Sequence, residues 1–374
     1  MSAAPVEPKT AERGELRALT AMRGVAALAV VATHFSATGQ NLTAQTIPSL
    51  VPHGYMAVDF FFVLSGFIMS YTYLASFQAR RPGAYTDFLA RRVARVMPLH
   101  VSVVLIVAVL GAVDIALTGA NRFFVSGSFA ADLAANLLLL PGLGIGATFN
   151  GPAWSISTEI VAYLAFPLLV AIFFAGRAVS ALGGIVAVGL LVLLATRLPR
   201  LGLTYEAMPL NLVRCLAEFS LGMLAFRAYD APRLRAIFAA DIVAFGLAAA
   251  CGLSLVLRVD LPAALMFPFL VVAFAANQGR AAALLSTRVP YFLGVVSYSI
   301  YLIHNPIRPL ELGLATAMLG TDVHPAVALG FAALGTLVVI PFAWVAYVLV
   351  EQPGRRVVRQ MFASAQTPFI RKHP

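Results

Sequence analysis

Charge is scarce in this chain. Asp, Glu, Lys and Arg make up 11% of its 374 residues, and 60% are hydrophobic; soluble domains carry roughly 25% charge. That balance excludes a soluble enzyme. Cysteine is scarcer still. Cys215 and Cys251 both sit inside apolar stretches, without the paired spacing of a disulfide framework or a zinc site, so both are expected to be packing residues and no metal is expected. Acidic residues are few, 16 against 26 basic, for a net charge of +10. In a soluble chain that surplus would raise the question of nucleic acid. Here the basic residues border apolar runs and report topology, so no nucleic-acid partner is expected. Also missing is a small-residue cleavage site after the first apolar run, which therefore reads as a retained span. Residues 1–16, polar with Pro5 and Pro8, read as a disordered tail.

Long hydrophobic runs are what the chain has in abundance. Near the roughly 20 residues a bilayer requires, ten spans are predicted, at about 20–38, 55–75, 97–118, 155–175, 179–196, 209–227, 237–256, 261–277, 290–306 and 325–349. Segment 132–149 is also apolar, but Pro141, Gly142, Gly144 and Gly146 interrupt it; a re-entrant or interfacial piece is the preferred reading and an eleventh span the alternative. With the N-terminus inside, only Arg122, Arg197, Arg200, Arg258 and Arg308 fall in outer segments, and Arg214 lies within a span. The positive-inside rule then puts both termini in the cytoplasm. The expected fold is an all-α polytopic transmembrane bundle. One membrane domain over 17–352 is followed by a basic cytoplasmic tail, 353–374.

An ionisable side chain at mid-bilayer costs several kcal/mol unless it has a partner, a wet cavity or a function, so the polar residues inside these runs are the candidate site. Arg23 and His34 are eleven residues apart in the first span, on one face and about 16 Å apart along the axis. A snorkelling Arg and a backbone-bonded His are the plain alternative. Asp59 enters the second span at the depth expected for His34, where it could set the imidazole tautomer; capping its helix or pairing with an Arg is the competing account. Arg92 and Arg95 lie one turn apart before Pro98, a fork suited to phosphates or to lipid headgroups. Trp154, Ser155, Ser157 and Glu159 open the fourth span, with Trp154 suited to a headgroup belt and Glu159 at the level of His34 and Asp59. In the ninth, Ser297, Tyr301 and His304 form a stripe at i, i+4, i+7 that either lines the same cavity or belongs to an aromatic belt. Arg214 and Glu218, at i, i+4, read as an intramembrane ion pair.

Taken together, Arg23-x10-His34, the run Val58-Asp59-Phe60-Phe61-Phe62-Val63-Leu64-Ser65-Gly66-Phe67, Arg92-x-x-Arg95, Trp154-Ser155-Ile156-Ser157-x-Glu159 and Ser297-Tyr298-Ser299-Ile300-Tyr301-Leu302-x-His304 resemble acyltransferase family 3. This is a family of integral membrane proteins that includes O-acetyltransferases of bacterial surface polysaccharides. The resemblance covers about residues 20 to 350. It implies transfer of an acyl group, usually acetyl from cytoplasmic acetyl-CoA, to a hydroxyl of a sugar or a related glycosylated acceptor at the inner membrane. It also implies that Arg23, His34, Arg92, Arg95 and Glu159 are functional positions. On this reading acyl-CoA places its phosphates on Arg92, Arg95 and Arg23 and extends its arm toward His34, as base or acyl carrier, oriented by Asp59 or Glu159. Ser155, Ser157 or Tyr301 would steady the oxyanion, with Trp154 and His304 against substrate. The bilayer, acyl-CoA and a glycosylated acceptor are the implied partners, with a second copy or another protein of a surface-polysaccharide pathway as further candidates. The rival reading is a proton-coupled transporter in which His34, Asp59 and Glu159 form a proton relay.

Overall fold

The structure is a computed structural model that describes residues 14–124, 127–197 and 210–366. The expected tails lie outside it over residues 1–13 and 367–374. In hydrocarbon every backbone N–H and C=O must be satisfied within its own segment, and a run of apolar residues meets that demand as helix. Accordingly the described residues are helical, with no strand among them.

In chain order the helices are α1 (Arg17–Gly39), α2 (Ala57–Gln78), α3 (Ala84–Thr118), α4 (Phe129–Leu137), α5 (Ala153–Phe173), α6 (Arg177–Arg197), α7 (Leu210–Asp230), α8 (Pro232–Phe238), α9 (Asp241–Val256), α10 (Asp260–Ala276), α11 (Arg280–Leu285), α12 (Arg288–Val295), α13 (Ser297–Leu319), α14 (Pro325–Ala346) and α15 (Gln352–Gln366). A π-helical turn, Tyr347–Glu351, joins the last two.

Each of the ten expected spans coincides with helix, but not every one is a simple crossing. Six helical stretches are long and apolar enough to cross a membrane: Arg17–Leu42, Gly54–Gln78, Ala84–Thr118, Ala153–Phe173, Arg177–Arg197 and Pro325–Phe362. A seventh arises if α8 and α9, bent by 68°, count together. The others depart for identifiable reasons. Helix α7 carries Arg214 and Glu218 in its N-terminal half, and α10 is only 17 residues long. The run at 290–306 breaks at Val296 into α12 and α13. Segment 132–149 takes in the end of the nine-residue α4, which starts at Phe129, and a one-turn 3-10 helix at Pro141–Leu143, both too short to cross.

The core is an aromatic and aliphatic cluster gathered around α2, α7 and α5. Close approach of α2 to α7 depends on two glycines. A Cβ on Gly66 would strike the Phe219 carbonyl, and one on Gly222 would strike that of Val63; small residues at such crossings let membrane helices touch backbone to backbone. Overpacking a filled interface costs about 1–3 kcal/mol or more. Gly66→Leu is therefore expected to lower the melting temperature in detergent and the yield of monodisperse protein. A variant with unchanged melting would refute this account of the Ser65-Gly66-Phe67 motif.

Candidate functional site

Helix α1 brings Arg23, α3 brings Arg92 and Arg95, and α5 brings Ser155 and Glu159 to the wall of one internal cavity of about 150 Å³. Ser297, Tyr298 and Tyr301, from the start of α13, complete it. The break at Val296 matters here: irregular backbone is tolerated at membrane depth where it lines a cavity, and the Gly294 carbonyl at the end of α12 accepts the Ser297 hydroxyl at 2.8 Å. Arg92 and Arg95 reach the same cavity because i, i+3 residues share a helix face.

Three of the four charged groups in this wall are held by hydrogen bonds or ion pairs. Arg92 donates to the Tyr73 hydroxyl at 3.0 Å, while its Nε is buried without a hydrogen-bond partner. Arg95 pairs with Glu351 and lies 5.2 Å from the centre of the Tyr298 ring. Glu159 accepts from the Tyr163 hydroxyl at 2.6 Å, and Tyr163 in turn meets Ser65 at 3.2 Å. Glu159 also exerts its charge on Arg23. It therefore belongs with the arginines, away from the outer carboxylate cluster expected from its depth.

From the cavity a polar chain runs toward His34. The Ser155 and Tyr301 hydroxyls are 2.8 Å apart, the Tyr301 ring packs edge-on at 6.1 Å from His304, and His304 Nε2 lies 2.7 Å from His34 Nδ1 with the rings stacked. His304 is fully buried, and its Nδ1 lies against the carbonyls of Ile300 and Tyr301 without a well-formed hydrogen bond. A proton on that nitrogen leaves Nε2 to accept from His34 Nδ1–H, which frees His34 Nε2 as a base. His34 itself is half-buried and outside the cavity wall.

Asp59 does not orient His34. It is fully buried and forms a two-pronged ion pair with Arg214, whose Nε is 2.6 Å from Asp59 Oδ1. Glu218, also fully buried, is 3.7 Å from the same guanidinium, so the expected Arg214–Glu218 pair is present with Asp59 as its dominant third member. The reason is geometric: the tight α2–α7 packing brings Asp59 to Arg214, and a guanidinium is a stronger partner for a buried carboxylate than a neutral imidazole. Among the described residues no hydrogen bond or ion pair joins His34, Asp59 and Glu159: they bond His304, Arg214 and Tyr163 respectively. Trp154 and Ser157 also depart from expectation. Trp154 is buried edge-on against Phe62, and Ser157 donates back to the Ala153 carbonyl at 3.2 Å beside Gly142; neither lines the cavity.

Sequence reasoning missed Tyr73, Tyr163 and Glu351. Tyr163 was within reach, one turn after Glu159 on the same face. Glu351, a carboxylate ending a long apolar run, also carried a signal. Tyr73 carried none, because its role depends on where α3 crosses α2. Further off, His53 and Tyr55, before α2, both bond Asp260 at the start of α10, at 2.5 and 2.7 Å.

Membrane-length helices enclosing a cavity walled by arginines, a glutamate and hydroxyls define a polytopic membrane protein with an internal polar site. The chain belongs to acyltransferase family 3: the profile of its acyltransferase domain matches residues 16–348. It is 38% identical over 161 residues to acyltransferase MdmB of Streptomyces mycarofaciens, a match covering 41% of this chain and 38% of that protein. It is 33% identical over 158 residues to "Protein 2 in picA locus" of Rhizobium radiobacter, covering 38% of this chain and 76% of that protein. The match thus spans well under half the length of MdmB. No solved structure matches.

Proposed function

We propose that this membrane acyltransferase takes an acyl group, acetyl in the simplest case, from acyl-CoA on the cytoplasmic side of the inner membrane and passes it to a hydroxyl of a carbohydrate or related glycosylated acceptor. The observation that carries this reading is the convergence of Arg23, Arg92 and Arg95 on one cavity. Three guanidinia from two helices suit the phosphates of a donor, since each offers planar, charge-assisted hydrogen bonds. The positive-inside pattern orients their end toward the cytoplasm, with both termini on that side.

In this mechanism the pantetheine arm occupies the cavity and its thioester approaches Ser155 and Tyr301, whose hydroxyls steady the developing oxyanion. Tyr301 has to yield for the thioester to approach His34. The acceptor oxygen attacks the thioester carbon as His34 Nε2 takes its proton, the carbon–sulfur bond breaks, and the imidazolium returns the proton to the departing thiolate. His304 orients the base, the role first given to Asp59 or Glu159.

The test uses the purified full chain in detergent. Coenzyme A is expected to bind the wild type, and acetyl-CoA to release thiol over time. Arg92→Gln and Arg95→Gln should each weaken binding about 10- to 100-fold, the worth of a charge-assisted contact. A wild-type protein that neither binds coenzyme A nor consumes any acyl-CoA would sink the proposal.

A further inference from the structure

Glu351 has no place in the mechanism above, yet it is fully buried at the end of the π-helical turn. Single π turns inside α-helices often occur at functional sites because they re-aim side chains. Here the turn directs a carboxylate between three groups. Glu351 pairs with Arg95, accepts the Ser299 hydroxyl at 2.7 Å, and lies 3.7 Å from Arg355 Nη1 one helical turn further on. Close packing of α15 on α3 makes this possible: Gly354 sits directly against Pro98, where a Cβ would clash.

Charge does not balance at this junction. Arg355 lies within electrostatic range of Arg23, Arg92 and Arg359; Glu159 faces Arg23, Glu351 faces Arg95 and Arg355, and Glu15, which shares a groove with Arg23, accepts from Thr20 and Tyr291. A surplus of partly desolvated guanidinia is costly unless an anion joins them. The cavity itself, about 150 Å³, is well below the roughly 300–1,000 Å³ of sites that engulf a drug-sized ligand. It has room for the acyl and pantetheine end of a donor, with the pyrophosphate against Arg23, Arg92 and Arg95, so the 3′-phosphorylated nucleoside end lies outside. Arg355 is 30% exposed, and Arg359, a further turn and about 6 Å along the axis, is exposed on the same face.

We propose that Arg355 and Arg359 form the outer half of the donor site, binding the nucleoside 3′-phosphate of acyl-CoA, and that Glu351 is the positioning residue that holds Arg95 and Arg355 at the junction between the two halves. This rests on the donor reading above. It adds a binding face on α15, a segment the sequence presented only as a basic tail.

The experiment places the full chain in nanodiscs of phosphatidylcholine and measures affinity for coenzyme A and for its 3′-dephospho form. Arg355→Gln and Arg359→Gln are each expected to weaken coenzyme A binding about tenfold or more and to shrink the preference over dephospho-coenzyme A. The KM for acetyl-CoA should rise far more than that for acetyl-pantetheine, which lacks the nucleotide. Arg355→Lys and Arg359→Lys, which keep the charge, should recover much of the affinity. If the double Gln variant melts as the wild type does and binds coenzyme A equally well, the inference is overturned. It is likewise overturned if the variants differ from wild type only in discs containing phosphatidylglycerol, which makes the face a lipid anchor. A wild type that binds no coenzyme A fails the donor reading itself and is distinguished from both outcomes.

Discussion

Replacing His34 with alanine is expected to cut acyl transfer by about 10²- to 10⁴-fold, the usual worth of a positioned general base, while coenzyme A binding stays within a few-fold of wild type. The separation follows from layout. The arginines line the cavity, whereas His34 stands beyond it, reached through Ser155, Tyr301 and His304. A base needs an unprotonated Nε2, and the 2.7 Å contact from Nδ1 to His304 supplies the orientation. His304→Ala should therefore cost less, about tenfold, and His304→Gln, whose amide can still meet Nδ1, less again. Acid quench during a single turnover distinguishes base from carrier, since an acyl-histidine would be trapped only in the second case. If His34→Ala turns over at the wild-type rate, His34 is structural and the chemistry must move to Ser155, Tyr301 and Glu159 in the cavity wall.

Arg214→Met is expected to destabilise the protein by about 3–5 kcal/mol, because it strands two buried carboxylates without their cation. Asp59 and Glu218 are both fully buried and both face this one guanidinium. Asp59→Asn should cost less, since Glu218 at 3.7 Å can close on Arg214 in its place. The measurements are melting temperature and the monodisperse fraction in detergent, with turnover per folded molecule at low temperature. On the structural account, Asp59→Asn loses stability and keeps most of its turnover. An Asp59→Asn protein that melted normally but lost turnover about 100-fold would return Asp59 to the catalytic centre.

Much of the site was legible because its residue types are expensive where they stand. Arginine, histidine or glutamate inside an apolar run asks for an explanation, which singles out Arg23, His34 and Glu159 without any coordinates, while Arg92 and Arg95 stand out as a one-turn fork just before a span. Helical spacing then paired Arg92 with Arg95 and Arg214 with Glu218, and both pairings hold, one on the cavity wall and one around a buried guanidinium. Depth was the less reliable guide. Three groups at one level of a bundle need not touch, since each helix is free to turn its residue toward a different neighbour. Asp59 turns to α7 and Glu159 to the arginines. Trp154 read as an interfacial residue because sequence position near a span end does not tell whether another helix covers it; here Phe62 does.

What the sequence determined by itself is the class of molecule and the inventory of its chemistry. Hydrophobic runs of bilayer length leave the backbone no alternative to helix, and the few ionisable side chains within them had to be either paired or functional. What only the tertiary structure decided is which of those two fates each one met. Pairing depends on how helices distant in the chain rotate and cross, so Asp59 found Arg214, His34 found His304, and Arg95 found Glu351 from the far end of the sequence. Contacts of 155, 270 and 256 residues' separation leave no local pattern. They are set by packing between surfaces that come into existence only when the bundle has formed.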